Sequence, residues 1–501
     1  MALAPPKAVD RWCGEMMMNI AVAAFIALCA IMSGCAVGPN FVPPRTEVPV
    51  TWNAQEVVGP AQESRTTSDP ADLAGWWRSF QDPTLTSLVE TALDTNLDLR
   101  QAQARIRQAR AARGIAGAGF WPQVDAQAFF ERSSSSSATV TSSGVPVVSS
   151  GPAFRDLFQV GLDASWELDI FGGTRRSVEA ATADLQAAVE DRRGVLVTLA
   201  GEVGTNYLTL RGLQKQLAIV RQNLAAQEKT ARIIRQRYEA GFASRLDVAN
   251  SEAQVNTTAA QIPLLESEAR AAIYRLGVLL GQPPGMLTSV LLRPHPIPTT
   301  PPQIPVGLPS DLVRRRPDIR RAEAQLHAAT ARIGVAVADL FPRFFLTGSA
   351  GFSAAHINRL GSDKSRFWSF GPSVTWPVFA GGRIRWNIEL QDAIQEQALL
   401  AYQQTVLTAL KDVETALVAY AKEQEHRQSL LQAVANNRKA VELAMKLYLA
   451  GRSDFLNVLT AQRSLFVTEE ALAQSTRNLA VNLVALYKAL GGGWEQSPKG
   501  S

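Results

Sequence analysis

A very long segment without proline, residues 174–239, most constrains what this chain can fold into. Its apolar side chains recur every three or four residues, which is the spacing of a helix that buries one stripe. The same spacing recurs between Val406 and Tyr448 in the second half of the chain. A helix of this size is about 100 Å long at roughly 1.5 Å per residue, more than a single globular core requires. We therefore predict two long coiled-coil helices, each interrupted by polar residues such as Gln227, Gln424, Arg427 and Arg438.

Each long helix is followed by a turn, and the two turns have nearly the same sequence. QRYEAGFASRLDVA at 236–249 matches KLYLAGRSDFLNVL at 446–459 in its Tyr, Gly, Leu and Val, each 210 positions apart. Glycine accepts the left-handed conformation that ends a helix, and Ser or Asp caps the helix that follows. The alternative, a simple break within a longer rod, does not explain why the turn occurs twice. We predict two helical hairpins: Gly241 with Ser244 before a returning helix at about 246–280, and Gly451 with Ser453 or Asp454 before one at about 454–490.

The matching turns belong to a duplication of most of the chain. Residues 97–124 match residues 317–344 at an offset of 220, and beyond the next loop the offset becomes 210, as for Trp166 and Trp376. Agreement of special residues over so long a stretch indicates an internal repeat rather than chance. Each half is predicted to run helix, strand, loop, strand, very long helix, turn and helix, the first helix lying at about 84–118.

Each half also contains two runs in which apolar and polar residues alternate. The runs lie at 121–131 and 157–168 in the first half, and around 344–352 and 368–378 in the second. Strict alternation suits a membrane β-strand with one face in lipid and one in water. A soluble hairpin with one buried face is the alternative for each strand taken singly. Long polar loops, such as the Ser-rich one at 132–152, favour the membrane interpretation.

Four membrane strands cannot form a closed barrel in one chain, and open strand edges are not tolerated in lipid. Several copies must therefore share one barrel. Two copies would supply eight strands and three copies twelve, and both numbers occur in membrane barrels. This arithmetic does not choose between them.

The N-terminus has the pattern of a secretory signal. Lys7 and Arg11 precede an apolar run at 20–32, which is shorter than the roughly 20 residues of a comfortable membrane span. The run ends in SGC and resembles a bacterial lipobox, which predicts cleavage before Cys35 and acylation of that residue as a stable anchor. Ala36 after the cysteine resembles lipoproteins sent to the outer membrane. A plain signal peptide with an incidental cysteine is the alternative.

Composition and motifs argue against several other classes of protein. The net charge of +5 comes from basic residues scattered among acidic ones, so we expect no nucleic-acid partner. The sequence shows no phosphate loop, no nucleophile elbow and no metal-ligand spacing, so we expect no catalytic residues, metal or cofactor. We expect a solvated helix start for the arginines at 314–316 and 320–321, a tail for GGGW at 491–494, and surface positions for His295, His327, His356 and His426.

Several stretches together resemble a known family. These are CAVGPNFVPP at 35–44, WWRSFQDPTLTSLVETAL at 76–93, RRRPDIRRAEAQLHAATARIG at 314–334 and the two Tyr-x-x-Gly turns. They resemble the TolC-like outer membrane factors, in particular the lipoprotein NodT and OprM type. The resemblance implies a mostly α fold with membrane β: a trimeric 12-stranded β-barrel with four strands per chain, a long periplasmic α-helical barrel and a mixed equatorial domain.

The resemblance also implies a division of the chain. The expected segments are a signal peptide at 1–34, a lipid anchor and N-terminal equatorial segment at 35–83, a first structural repeat at 84–281, an equatorial linker at 282–308, a second repeat at 309–491 and a tail at 492–501.

The function implied is passive export through the outer membrane of a Gram-negative bacterium. A homotrimer would pass small drug-like or toxic molecules that a periplasmic adaptor and an inner-membrane pump of RND type hand over. Outer-membrane lipid would be a further partner. A channel for type I secretion or metal efflux, a lipid-anchored coiled-coil spacer and a stand-alone porin are the alternatives. The spacer leaves the four strands unexplained, and the porin does not need helices of this length.

The family's site residues transfer to the two turns. Adaptor contact is expected at Gly241, Ser244, Arg245, Gly451, Ser453 and Asp454. Family members close the periplasmic end with rings of leucine and acid, which here correspond to Leu246, Asp247, Asn250, Leu456, Asn457 and Thr460. This constriction is poorer in acid than the family's, and only Asp247 and Asp454 remain as candidates for a cation-binding gate.

Overall fold

The computed structural model describes residues 36–53, 65–67, 73–135 and 153–495. The predicted signal segment, Cys35 and most of the Ser-rich loop lie outside these residues. The described chain divides into two compact units. The first takes residues up to Pro43, Gln108–Leu185 and Ala324–Leu399, and the second takes Pro44–Arg107, Gln186–Glu323 and the chain from Leu400 onwards.

Two pairs of equivalent helices have the same length in the two halves of the chain. The helices are α1 (Pro83–Thr95), α2 (Leu97–Ala118), α3 (Gly173–Glu239), α4 (Arg245–Ala259), α5 (Gln261–Leu279), α6 (Thr288–Leu291), α7 (Pro309–Arg315), α8 (Pro317–Ala338), α9 (Arg383–Leu449) and α10 (Phe455–Ala489). Both α2 and α8 have 22 residues, and both α3 and α9 have 67. These bounds agree with the offsets of 220 and 210 read from the sequence. Within the described ranges, no helix is both long and apolar enough to cross a membrane.

The first helix of the first repeat is interrupted, contrary to the prediction of one helix at 84–118. Asn96 separates α1 from α2 and is buried. Its side-chain oxygen accepts a hydrogen bond from Leu99 N at 3.0 Å, and its amide donates to the Leu279 carbonyl at 2.8 Å. Asparagine ends one helix here because its side chain caps the next.

The returning helix predicted at 246–280 is also divided, at Ala260, into α4 and α5. Pro263 lies in the first turn of α5, where its missing N–H leaves the carbonyl one turn earlier without a helical partner. The counterpart, α10, runs unbroken over 455–489, close to the prediction of 454–490.

The strands of the described chain form two separate sheets. They are β1 (Arg65–Thr67), β2 (Gln123–Ser135), β3 (Ala153–Leu168), β4 (Gln303–Pro305), β5 (Arg343–Ala354) and β6 (Arg366–Thr375). In the second unit, β1 and β4 pair in parallel. The four long strands form one antiparallel sheet in the order β2-β3-β5-β6, all within the first unit.

The register of the four-stranded sheet matches the apolar residues of neighbouring strands. Phe130 lies opposite Phe158, Leu162 opposite Ala350, and Ala350 opposite Trp368. The polar residues lie opposite one another on the other face, as in Asp125 with Asp163. The sheet therefore has one apolar and one polar face, as the alternation in the sequence predicts.

A large apolar core fills the second unit. Trp76, Trp77 and Phe80 pack with buried residues of α1, α3, α9 and α10, among them Tyr207 and Tyr487. The Trp76 ring stacks on the Tyr487 ring at 5.3 Å between centroids.

The GGGW stretch belongs to this core, although the sequence predicted a tail. Gly491, Gly492 and Gly493 are buried, and the Arg193 guanidinium lies 4.4 Å over the Trp494 ring. A Cβ added at Gly492 would lie 2.9 Å from the Leu73 side chain. Glycine is needed here because the backbone passes so close to its neighbours.

Two polar residues expected at the surface are also packed. Arg316, predicted in a solvated helix start, is buried and donates to Asp318 at 2.7 Å and to the Ala489 carbonyl at 2.9 Å. His327 stacks on Phe41 at 4.4 Å, and its Nε2 lies 3.0 Å from Glu179. Both residues contact segments that are far away in sequence, so local patterns could not reveal their packing.

Candidate functional site

The candidate site lies at the two turns that end α3 and α9, in the second unit. Gly241 has φ +80° and Gly451 has φ +69°. At the first turn, Gly241 N donates to the Tyr238 carbonyl at 2.9 Å and Phe242 N to the Arg237 carbonyl at 2.7 Å. At the second, Gly451 and Arg452 make the same two bonds with Tyr448 and Leu447, at 3.0 and 2.9 Å. Both turns are therefore Schellman motifs, which confirms the role predicted for the glycines.

The helices that leave the two turns are capped differently. Ser244 Oγ accepts a hydrogen bond from Asp247 N at 3.1 Å, while Asp247 Oδ2 accepts from Ser244 N at 2.9 Å, a complete capping box. Asp454 occupies the equivalent position before α10, but its side chain makes no capping bond. Ser453 Oγ instead accepts from the Asn457 amide at 2.9 Å. The prediction is confirmed for Ser244 and wrong for Ser453 and Asp454: Asp454 makes only the backbone bond of its carbonyl to Asn457 N, and Ser453 bonds a side chain.

A small apolar cluster supports the second turn. It consists of Ile234, Tyr448, Phe455, Val458 and Leu459. The Arg237 guanidinium lies 5.0 Å over the Tyr448 ring, and burial raises the pKa of the Tyr448 hydroxyl. In the sequence, Tyr448 belongs to the repeat and to the apolar stripe of the second long helix, but local patterns do not show which residues that stripe contacts. Ile234 lies on α3, and Val248 of α4 packs against the cluster, so the two turns have the same backbone geometry and share one apolar cluster.

The surface around the turns presents apolar and basic side chains to solvent. Phe242 is 73% exposed, Leu246 67% and Leu456 63%, and Arg245 and Arg452 are exposed as well. Exposed large apolar groups next to charges are typical of protein interaction sites. Phe242 was not predicted as a site residue, although an aromatic residue directly after a turn glycine was a visible signal.

Three of the six residues predicted to form a constriction have side chains that are hydrogen-bonded within their own turn. Asp247 is committed to the capping box with Ser244, Asn457 is bonded to Ser453, and the Thr460 hydroxyl donates to the Leu456 carbonyl at 2.8 Å. Leu246 and Leu456 remain largely exposed, while Asn250 is half-buried. Of the two acids considered for a gate, Asp247 is thus engaged within its own turn, and Asp454 is exposed.

A second feature lies in the first unit, where the segment after Cys35 is held in place. Val37 N donates to the Phe171 carbonyl at 3.1 Å. The Arg176 guanidinium donates to the carbonyls of Val37 and Gly38 and, at 2.7 Å, to Asn40 Oδ1. A Cβ added at Gly38 would lie 2.5 Å from the Gly334 backbone, so the close approach requires glycine. Nothing in the local sequence pointed to this role of Arg176.

The same neighbourhood holds a linked carboxylate. Although burial opposes ionisation, hydrogen bonds from His327 and Arg176 lower the pKa of Glu179. Glu179 therefore stays ionised and joins the Phe41–His327 stack to the guanidinium that fixes the N-terminal segment.

The amphipathic four-stranded sheet, the two 67-residue helices and the twin exposed turns define an outer-membrane channel assembled from several chains. The model of the family described as outer membrane efflux protein matches residues 88–282 and 308–492. The chain belongs to this family. Members are homotrimeric channels in the outer membrane of Gram-negative bacteria, and they act in tripartite efflux with a periplasmic adaptor and an RND pump.

Individual relatives agree with this assignment. Nodulation protein T of Rhizobium leguminosarum bv. viciae is 33% identical over 465 residues, which cover 93% of this chain and 92% of that protein. The pyoverdine export outer membrane protein OpmQ of Pseudomonas aeruginosa is 34% identical over 491 residues, covering 96% of this chain and 99% of OpmQ. The structure of the outer-membrane channel OprN superposes with a TM-score of 0.84 at 37% identity, over 92% of this chain and 100% of OprN.

These comparisons confirm the predicted fold class, a trimeric barrel with four strands from each chain continued by a helical barrel, and the predicted location in the outer membrane. They also disfavour the lipid-anchored coiled-coil spacer, because the relatives are efflux channels.

Proposed function

We propose that this chain is a passive exit duct for small drug-like or otherwise toxic molecules, and that its adaptor binds at the twin turns. The observation that carries the docking site is the exposed surface of Phe242, Arg245, Leu246, Arg452 and Leu456 on two turns of identical backbone geometry. A rigid turn presents such side chains at little entropic cost, which favours recognition. Gly241, Ser244, Gly451, Ser453 and Asp454 shape this surface.

We propose that the pump, and not this chain, supplies the energy for transport. The relatives are efflux and channel proteins. OpmQ, one of these relatives, is named for pyoverdine export. For this chain we infer a small-molecule cargo and no catalytic step.

The proposed constriction consists of Leu246 and Leu456, with polar neighbours that are either uncharged or already hydrogen-bonded within their turn. Asn250, Asn457 and Thr460 carry no charge. The Asp247 carboxylate already accepts hydrogen bonds from both the backbone N–H and the hydroxyl of Ser244. Asp454 is exposed and stays the proposed acid for a cation. We infer a gate closed by packing of Leu246 and Leu456, to which a cation at Asp454 would add.

We further propose that Cys35 is acylated and that the domain limits are those inferred from the sequence. The next residues, 37–40, are fixed against the first unit by Arg176. A lipid on Cys35 would thus be attached to a segment that the fold already holds.

Export assays with turn variants test the docking proposal. In a strain lacking this channel, Gly451→Pro should abolish resistance to toxic compounds because proline cannot adopt φ +69° and removes the N–H bonded to Tyr448. Gly241→Val should act likewise because a β-branched residue is strained at positive φ. Gly361→Val is the matched control, since an added Cβ there meets no atom within 4 Å and its φ is ordinary.

All three variants should be present as trimers in the outer membrane, which immunoblotting of unheated samples measures. Docking is then read directly by cross-linking the purified adaptor to each variant. Normal resistance and normal adaptor cross-linking in Gly451→Pro would show that the turns are not the docking site.

A further inference from the structure

The internal repeat gives a template for the contact between neighbouring copies of the chain. Within one chain, β3 pairs with β5, α3 follows β3, and α8 precedes β5. The two edge strands of the described sheet are β2 and β6. Helix α2 precedes β2, and helix α9 follows β6. By the repeat, β6 corresponds to β3, α9 to α3 and α2 to α8. A barrel shared among copies pairs β6 with β2 of the next copy, which brings α9 to α2 of that copy.

We propose that the junction between α9 and the neighbouring copy's α2 repeats the junction between α3 and α8, with Trp386 of one copy seated on Gly114 of the next. In the template, Arg176 of α3 lies on Gly334 of α8, and a Cβ added there would be 2.8 Å from Arg176 Cγ. Trp386 is the equivalent of Arg176, and Gly114 is the equivalent of Gly334.

Both halves of the proposed contact are open in the single chain. Trp386 is 73% exposed, a large value for an indole. Around Gly114, within the described part of the chain, an added Cβ would meet no heavy atom within 4 Å. Gly334 is buried, whereas Gly114 is exposed. Gly334 is thus covered by residues of its own chain, whereas Gly114 is left exposed for contact with a neighbouring copy.

The exchange of Arg176 for Trp386 has a physical reason. At the template junction, the N-terminal segment lies beside Gly334, and its backbone carbonyls need the donors of Arg176. The described chain brings no such segment to Gly114. A large apolar ring can then fill the space, and burying it contributes to association.

Two further template pairs convert into complementary pairs between copies. Glu179 contacts His327 at 3.0 Å, and the residues at the equivalent positions of the other repeat are Glu389 and Arg107. Asp184 contacts Arg332 at 2.5 Å, and both residues become apolar together, as Ile394 and Ala112. Joint replacement of a charge pair by an apolar pair is what a real contact requires, because a single replacement would leave one charge unpaired.

The same template sets the strand register between copies. Phe158 lies opposite Ala354 and Leu168 opposite Phe344 in the β3–β5 pair. The β3 residues correspond to β6 residues 210 positions later, and the β5 residues to β2 residues 220 positions earlier. The same register therefore places Thr375 opposite Gln127 of the next copy and Val374 opposite Ala128. Most apolar residues then face the same side on both strands, as most of them do in the described sheet.

Engineered cysteines test the junction in the full-length protein. Gly114→Cys combined with Trp386→Cys should give disulfide-linked trimers on non-reducing gels. In the template a Cβ added at Gly334 lies 2.8 Å from Arg176 Cγ, the atom bonded to Arg176 Cβ, so the two Cβ atoms are close enough for a disulfide. Each single variant should stay uncross-linked. Gly114→Cys with Leu390→Cys is the matched control, since Leu390 lies one helical turn, about 6 Å, further along α9. Absence of the first cross-link in an intact trimer, or equal cross-linking in the control, would overturn the proposal.

A charge exchange provides a readout that does not depend on the cysteines or on their effect on assembly. Glu389→Arg and Arg107→Glu should each lower the temperature at which the trimer dissociates, and the double variant should recover most of the loss. Additive losses in the double variant would reject the pairing. Neither experiment measures transport, so their failure would leave the docking proposal for the turns untouched.

Discussion

At the scale of single residues, Tyr207 shows how one side chain joins distant segments of the core. Its hydroxyl donates to Asp82 Oδ2 at 2.6 Å, while Asp82 Oδ1 caps α1 by accepting from Thr84 N at 2.8 Å and Leu85 N at 3.0 Å. The Arg211 guanidinium lies 4.7 Å over the ring. Burial, followed by the hydrogen bond to Asp82, raises the pKa of Tyr207 to about 12. The hydroxyl therefore remains a donor at any ordinary pH.

Tyr207→Phe should lower the free energy of unfolding by about 1–2 kcal/mol, because Asp82 loses a buried donor. The pKa in the folded protein is above the ordinary value of 10.0, so this contribution is complete below about pH 10 and is lost as the pH rises through about 12. Denaturant titrations at about pH 8 and about pH 11 should show a smaller difference between the two proteins at the higher pH. A difference that stays constant would contradict the assigned cause.

Residue-level expectations failed where a side chain contacts a remote segment. Arg316 was expected in a solvated helix start, and His327 was expected at the surface because the histidines show no metal-ligand spacing. Their partners, Ala489 and Phe41, are far away along the chain. Hydropathy around a residue does not report such partners, and a buried arginine is tolerated only when they are present.

At the scale of elements, the two turns have the same backbone conformation at the helix end but different side-chain caps on the helix that follows. Both helices end in the same Schellman geometry, which the glycines made predictable. The caps of the returning helices differ, because Ser244 and Asp247 bond reciprocally while Asp454 bonds only through its carbonyl.

Ser244→Ala should destabilise the first turn of α4 by about 1 kcal/mol, whereas Asp454→Ala should leave the first turn of α10 nearly unchanged. Hydrogen exchange measured over residues 245–250 and 455–460 reads both effects in the same trimer. Equal acceleration of exchange in the two variants would show that Asp454 does cap α10.

Element boundaries were predictable where a period or a glycine marks them. The limits of α3, the C-terminal end of α9 and the positions of the four long strands to within about four residues followed from spacing and alternation. The breaks at Asn96 and Ala260 did not, although Pro263 was a visible warning for the second. At Asn96, the deciding contact is with the Leu279 carbonyl, which only the folded chain brings near.

At the scale of the whole molecule, the described sheet requires other copies, and family membership identifies the assembly as a trimer. Twelve strands already hold such a channel in the membrane, so the proposed lipid on Cys35 is an additional attachment.

Cys35→Ser should abolish incorporation of labelled palmitate while trimers remain in the outer membrane, because the strands provide the principal anchor. Membrane fractionation with metabolic labelling measures both outcomes. Wild-type protein and the uncleaved precursor serve as references. Continued labelling of the variant would show that another residue is acylated.

The sequence by itself determined the repeat, the helix and strand periods, the turn glycines and the need for several copies, since these are encoded by neighbouring residues and by residue type. The tertiary structure decided which apolar stripe packs against which other: it buries GGGW, fixes residues 37–40 through Arg176, and joins the two turns through one apolar cluster. The physical reason is that the spacing of apolar residues specifies which face of a helix or strand is buried, but not which other segment covers that face. The covering segment depends on long-range contacts whose geometry exists only once distant segments are packed together.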